Sequence, residues 1–404
     1  MADAFIYDAV RTPRGRGRPN GGLHTLSPVD LGAAVLTALD ERTGFSKAAP
    51  EDVIFGVGDP VNDQGSDLAR SALLRAGMPE TIPGSVVSRF CSSGLDAVNA
   101  AAARIMSGQG DLIVAGGVEM MSLIPIGGSG GPNGSDAFFN DAVNMIPQGI
   151  SADLMATLYG HSRADVDAYA LESQKRAAAA WQGGRFAKSV VPVADVNGDA
   201  LLDRDEYMRP ETTLETLSQL PAAFRDMGQK GGFDAIARRR YPEVLAVEHV
   251  HTAGNSSGIV DGAAAMLIGS REVGERLGLK PRAAIRSFAN AAMDPSLMLA
   301  APADATKAAL DRVGRSFADV DLYEVNEAFA SVVLRFMERT GVPHDKVNVN
   351  GGGISMGHPI GATGVMLTNI LLDELERTGR ESGIVTLCVG LGMGVATYIE
   401  RVEG

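Results

Sequence analysis

Two stretches near opposite ends of the chain repeat each other in order. Ser27-Pro28-Val29-Asp30 opens a helical pattern that leads to Asp52-Val53-Ile54-Phe55. Ala301-Pro302-Ala303-Asp304 opens another, leading to Asp319-Val320-Asp321-Leu322. The offset at the second member is 319 − 52 = 267 residues. Such a repeat limits the fold strongly, because two related halves must bury equivalent faces. Applied to Cys91, the offset reaches position 358, a histidine. Both residues precede a helical pattern, and both helical patterns precede an apolar run, 111–115 and 384–387. A pseudo-two-fold relation would place Cys91 and His358 at equivalent helix starts, facing each other across the axis.

Strand-like and helix-like segments alternate through both halves. Strands are expected at 4–9, 52–57, 111–115, 263–268, 283–288, 320–325, 346–350, 384–387 and 395–400. Helices are expected to start at Ser27-Pro28 (a cap followed by proline at the first helical position) and to cover 66–76, 96–106, 302–313, 327–340 and 364–376. This pattern predicts an α/β fold with its sheet covered on both faces. Residues 121–250 break it with glycine-rich and polar sequence, including five glycines in 126–134. The expected division is a first half from 1–120 and 251–280, an excursion over 121–250, and a second half over 281–404. Long excursions on a rigid scaffold carry substrate contacts or serve only as structural insertions, and both readings are open here.

A formal net charge of −13 argues against sequence-independent nucleic-acid binding, which needs basic surface. Two basic spots stand out, Arg14-Gly15-Arg16-Gly17-Arg18, read as a solvated loop, and Arg238-Arg239-Arg240. Two cysteines are too few for a disulfide framework or a cysteine-built zinc site, so no metal is expected. No run approaches the ~20 apolar residues of a membrane span. No secretory signal or peroxisomal ending is read at the ends, and cytoplasm is the expected location.

Cys91 lies in Ser88-Arg89-Phe90-Cys91-Ser92-Ser93-Gly94-Leu95, where an extended piece hands over to a helix. A thiol there faces unpaired N–H groups and the positive end of a helix dipole, which favour thiolate. It is either a covalent nucleophile or a small buried hydrophobe. His358, in Gly357-His358-Pro359 within a glycine-dense loop, is either its base or a structural histidine. Cys388 ends an apolar strand in Thr386-Leu387-Cys388-Val389-Gly390-Leu391-Gly392, where a second thiol can act as general acid and base. The glycine spacing there matches no phosphate-binding loop, but its N–H groups suit an oxyanion hole. Asn326, in Asn326-Glu327-Ala328-Phe329-Ala330, either donates to an oxyanion or caps a helix.

Together these segments resemble the thiolase family, specifically the degradative 3-ketoacyl-CoA thiolases, over essentially the whole chain. Val118-Glu119-Met120-Met121-Ser122, Asn255-Ser256-Ser257-Gly258 and Asp261-Gly262-Ala263-Ala264 add to the match. The resemblance implies a thiolase fold: two pseudo-symmetric βαβαβαββ halves in a layered α/β/α/β/α arrangement, with a loop domain for CoA and acyl contacts inserted in the first. It implies that Cys91, activated by His358, takes the acyl group of a 3-ketoacyl-CoA while Cys388 protonates the departing acetyl-CoA. One oxyanion hole would use His358 and a water held by Asn326, the other the N–H groups of Cys91 and Gly390. Arg209 and Ser257 look like CoA contacts, and coenzyme A is a co-substrate with no permanently bound cofactor.

Short-chain biosynthetic members carry His-Met where Pro147-Gln148 stands here, and about twenty extra residues, including 233–240, precede His251. That insertion resembles the thiolase subunits of bacterial trifunctional fatty-acid oxidation complexes and implies β-oxidation thiolysis, a homodimer or homotetramer, and a hydratase/dehydrogenase partner subunit. Condensation of two acetyl-CoA is the alternative. A ketoacyl synthase would lack Cys388, and a non-enzymatic scaffold would have lost part of the cysteine–histidine set.

Overall fold

A computed structural model describes residues 3–402. The outermost residues read above for targeting signals, 1–2 and 403–404, lie outside that range. Twelve strands occur in chain order: β1 (Ala4–Arg11), β2 (Gly15–Arg16), β3 (Asp52–Gly56), β4 (Gly84–Val87), β5 (Leu112–Met120), β6 (Val193–Ala194), β7 (Ala200–Leu202), β8 (Val260–Gly269), β9 (Ala283–Ala292), β10 (Leu322–Val325), β11 (Ser382–Val389) and β12 (Met393–Arg401). The main sheet has the order β10-β11-β12-β9-β1-β8-β5-β3-β4, with β2 pairing β8 at one side. Its two halves meet where β1 and β9 pair over three residues, Ala4 to Ile6 against Ile285 to Ala283.

Each half is built alike. Parallel β4-β3-β5 continues into antiparallel β8 and β1; parallel β10-β11 continues into antiparallel β12 and β9. Alternation along each strand sends side chains to two layers. In β3, Ile54 joins a central cluster while Val53 and Phe55 join an outer one. In β11, Val385 and Leu387 point to the centre and Ile384 outward. The central layer consists of the helices Ser93–Met106 and Thr363–Thr378. The second is buried continuously from Thr363 to Leu375, as a helix enclosed between the two halves of the sheet must be. Pro28–Thr43 and Leu68–Arg75 cover one outer face, Pro302–Asp311 and Ala330–Thr340 the other. The result is the α/β/α/β/α layering.

Several expectations shift. The starts of the central helices pair 93 with 363, those of β3 and β10 pair 52 with 322, and those of β5 and β11 pair 112 with 382, an offset of 270 rather than 267. The helix-start equivalent of Cys91 is therefore Gly361, and His358 stands three residues earlier in its loop. The two central helices cross at equivalent glycines. A Cβ on Gly94 would lie 2.6 Å from the Gly361 carbonyl oxygen, and one on Gly364 2.1 Å from the Leu95 nitrogen. Only residues without side chains allow this approach. The strand expected at 346–350 is reduced to two isolated bridges, Val347 with Tyr323 and Val349 with Gly351, after the 3-10 turn His344–Lys346. The helix expected from 327 begins at Ala330, so Asn326 is not its cap.

Between β5 and β8, residues 121–259 form helices and the small hairpin β6–β7. Arg163–Gln182 is the longest of these helices, opened by a capping box between Ser162 and Asp165. Among the described residues no helix is long and apolar enough to cross a membrane.

Candidate active site

Cys91 precedes Ser92, the N-cap of Ser93–Met106. Phe90 before it adopts φ +47°, and Leu391 after Gly390 adopts φ +64°. Left-handed backbone at two bulky side chains costs about 1–3 kcal/mol each. It concentrates where the two halves meet: a Cβ on Gly390 would sit 3.3 Å from the Phe90 ring.

The Cys91 thiol is buried, and burial pushes it up to about 11, against lesser lowering by a hydrogen bond with the Gln148 side chain. This corrects the expectation drawn from the helix dipole: desolvation of the charged form outweighs the terminus, and the resting group is a thiol. His358 is displaced in the opposite direction, down to about 3, by burial first and then by the positive charge of Arg14. Arg14 itself departs from the solvated loop expected of it. It is 1% exposed, donates from Nε to Met366 Sδ at 3.4 Å and lies 3.7 Å from Asp205.

His358 Nδ1 is 2.6 Å from Thr363 Oγ1, whose hydroxyl donates to the Pro359 carbonyl at 2.8 Å. The threonine has one proton, so its oxygen accepts from Nδ1–H. Nε2 then carries the free lone pair, and the Asn326 amide Nδ2 donates toward it at 3.3 Å. Asn326 Oδ1, buried, has no partner among the described residues. Cys388, the last residue but one of β11, is paired with Gly394 and is 1% exposed; burial first, then the neighbouring Cys91, raise its thiol above its usual range.

Two cavities meet at Cys91. The larger, about 500 Å³, is lined by Cys91, His358, Gln148, Phe329, Ser256 and Ser257 among others. The smaller, about 260 Å³, is lined by Cys91, Phe90, Met145, Met298, Gly390 and Leu391 among others. Of the two expected CoA contacts, Ser257 faces the larger cavity. Arg209 does not: it lies over Tyr207, 5.1 Å from the ring centroid, in a separate pocket. Tyr207 abuts Gly258, where a Cβ would come within 2.5 Å of its ring, so the two sites are neighbours.

Four residues were given no role of their own in the site by the sequence reading. Gln148 reaches the Cys91 sulfur, and Thr363 orients His358. Ser256 Oγ lines the larger cavity without a partner among the described residues. Buried Glu119 accepts from Gly58 N (2.7 Å), Gln64 Nε2 (2.6 Å) and Gly361 N (2.8 Å), tying a loop of the first half to the histidine loop of the second. Gln148 begins a helix and Glu119 ends a strand, positions whose role appears only once the halves are folded together. The basic triplet also resolves: Arg239 binds Asp141 and Asn144 at 2.8 Å, and Arg240 pairs with Asp294.

A buried cysteine, a histidine with one nitrogen held and the other free, and two converging cavities lie together in an α/β fold, an arrangement able to serve acyl transfer. The comparisons agree. Residues 4–232 match the N-terminal domain of thiolase and residues 279–401 its C-terminal domain. The chain is 39% identical to the β-ketoadipyl-CoA thiolase of Pseudomonas putida over all of both chains. It is 40% identical to the acetyl-CoA acetyltransferase of Chromobacterium violaceum, over 99% of this chain and all of the relative. It is 37% identical to the 3-ketoacyl-CoA thiolase of Klebsiella pneumoniae, over all of both. The chain belongs to the thiolase family.

Proposed function

We propose that the protein cleaves 3-ketoacyl-CoA with coenzyme A to acetyl-CoA and a shortened acyl-CoA. The observation that carries this reading is the shared cavity of Cys91 and His358, with His358 Nδ1 held by Thr363 so that Nε2 is free to take a proton. Cys91 Sγ bonds to the 3-keto carbon as its proton passes to His358 Nε2. The C2–C3 bond then breaks. Its electron pair goes to the acetyl-CoA enolate, whose oxygen accepts from the newly formed Nε2–H, and C2 takes a proton from Cys388. Incoming CoA gives its thiol proton to Cys388 and attacks the Cys91 thioester beside the N–H groups of Cys91 and Gly390. Cys91 leaves as thiol with the proton from His358. A neutral resting pair suits this sequence, because each charge forms only in a desolvated site where fixed dipoles await it.

Coenzyme A would thread the larger cavity past Ser257, with Arg209 and Tyr207 at its outer end. A degradative role in β-oxidation is supported by the inserted segment 233–240 and by relatives named 3-ketoacyl-CoA thiolase. A cytoplasmic homodimer or homotetramer, with a hydratase/dehydrogenase partner subunit, completes the proposal; the outer edge of β4, which has no strand neighbour among the described residues, and exposed Leu74, Phe138 and Leu245 leave surface for such contacts.

The test is CoA-dependent release of acetyl-CoA from acetoacetyl-CoA and longer 3-ketoacyl-CoA. Cys91→Ser should abolish it. Cys388→Ser should still form the acyl-enzyme but turn over at least ~100-fold more slowly, the scale of a lost general acid/base. Equal turnover by Cys388→Ser removes that residue from the proton relay.

A further inference from the structure

The two cavities that share Cys91 lead in different directions. The larger holds His358 and Ser257 and, through Gly258 against Tyr207, adjoins the pocket of Arg209, which gives the path for coenzyme A. The remaining space for the tail of the acyl group is the smaller cavity, walled by Phe90, Met145, Met298, Ile360 and Leu391. Among its lining residues the one ionisable side chain besides Cys91 is Asp59. The Asp59 carboxylate accepts from Gly127 N and Ser129 N at 3.0 Å and from Ser129 Oγ at 2.7 Å. It is thereby fixed in the wall as an acidic group. Among the described residues no lysine, arginine or histidine lines this cavity. The nearby cations are spent elsewhere: Arg89 on Asp96, Arg239 on Asp141 and Asn144, and Arg240 on Asp294.

We infer that this cavity is the acyl-tail pocket and that it selects uncharged tails, rejecting a tail that ends in a carboxylate. The inference rests on the thiolysis reading above and names its substrate class. A terminal methyl gains from leaving water for the methionine and phenylalanine walls. A terminal carboxylate would lose its hydration without gaining a cation, and would face Asp59 of like charge.

The experiment compares two six-carbon 3-ketoacyl-CoA substrates of equal chain length, one ending in methyl and one in carboxylate. The parent should favour the methyl-ended substrate by at least ~100-fold in kcat/KM, the scale set by an unpaired buried polar group. Met145→Lys places a cation in the wall and should shift that ratio by ~10-fold or more toward the carboxylate. Ile126→Lys, at a residue 57% exposed on the rim, should shift it the same way and keeps the test open if Met145→Lys does not fold. Equal use of both substrates by the parent, or an unchanged ratio in the folded lysine variants, overturns the inference while leaving thiolysis standing. Turnover of neither substrate overturns the thiolysis reading and the pocket with it.

Discussion

Thr363→Val removes one oxygen and keeps the side chain's shape, so it isolates the tautomer of His358. In the parent, Oγ1 accepts from Nδ1–H at 2.6 Å and donates to Pro359 O at 2.8 Å, with both residues buried. Valine leaves an N–H facing carbon, a penalty of about 1–3 kcal/mol. The ring escapes it by moving the proton to Nε2. Nε2–H then opposes the Asn326 amide, which now donates to it at 3.3 Å, and cannot take the proton of Cys91. If acylation must repay that penalty by returning to the reactive tautomer, its rate falls ~5–150-fold. Rapid-quench intact-mass measurement of acyl-Cys91 formation gives the rate, and KM for CoA should stay within about twofold because Thr363 does not line the CoA cavity. Thr363→Ser, which keeps the hydroxyl, should recover most of the loss. Acylation of Thr363→Val at the parent rate, or Thr363→Ser as slow as the valine variant, refutes the tautomer argument.

Alkylation of Cys91 by iodoacetamide should rise ~10-fold per pH unit from pH 7 toward 10, because the thiolate is the nucleophile and burial holds the thiol near 11; a flat profile from pH 5 to 8 would mean a preformed thiolate–imidazolium pair. A second pH effect lies in the inserted segment. His249 bridges Asp153 (2.8 Å) and Asp234 (3.0 Å), and since carboxylates only accept, both ring nitrogens donate. Its pKa is raised above 6.5, chiefly by the hydrogen bond to Asp153, so the stabilisation is present below pH 6.5 and lost as pH rises through the folded value. Thermal unfolding should show the parent losing more Tm than Asp234→Asn above pH 6.5; parallel curves would remove the bridge from the account.

Much of this architecture was legible because burial writes itself into sequence. Both central helices are rich in small and aliphatic residues, and the apolar runs of β5 and β11 follow them at equal spacing in both halves. The repeat led to the right histidine through an imperfect register: Asp52 was matched to Asp319 rather than Leu322, and that three-residue error equals the distance by which His358 precedes Gly361, the helix-start equivalent of Cys91. The reactivity of Cys91 was misjudged for a physical reason. A helix start can be recognised locally, but the depth of burial that overrides its dipole depends on Gln148, Ile360 and other residues from distant segments. Glu119 was missed likewise, since its partners Gly58 and Gly361 come from the two halves; Thr363 was missed although its partners, His358 and Pro359, lie in the same loop, because only the folded loop turns its hydroxyl onto the ring nitrogen. Arg14 looked like a loop charge because its partners, Asp205 and Met366, are 191 and 352 residues away.

The central claim is that Cys91 carries the acyl group between two CoA molecules. Intact-mass analysis after adding 3-ketohexanoyl-CoA without free CoA tests it most directly. The account predicts a butyryl adduct that maps to Cys91, is absent in Cys91→Ser, and is discharged as butyryl-CoA when CoA is supplied. Acetyl-CoA release with no adduct at Cys91, or an adduct that persists in Cys91→Ser, would contradict it.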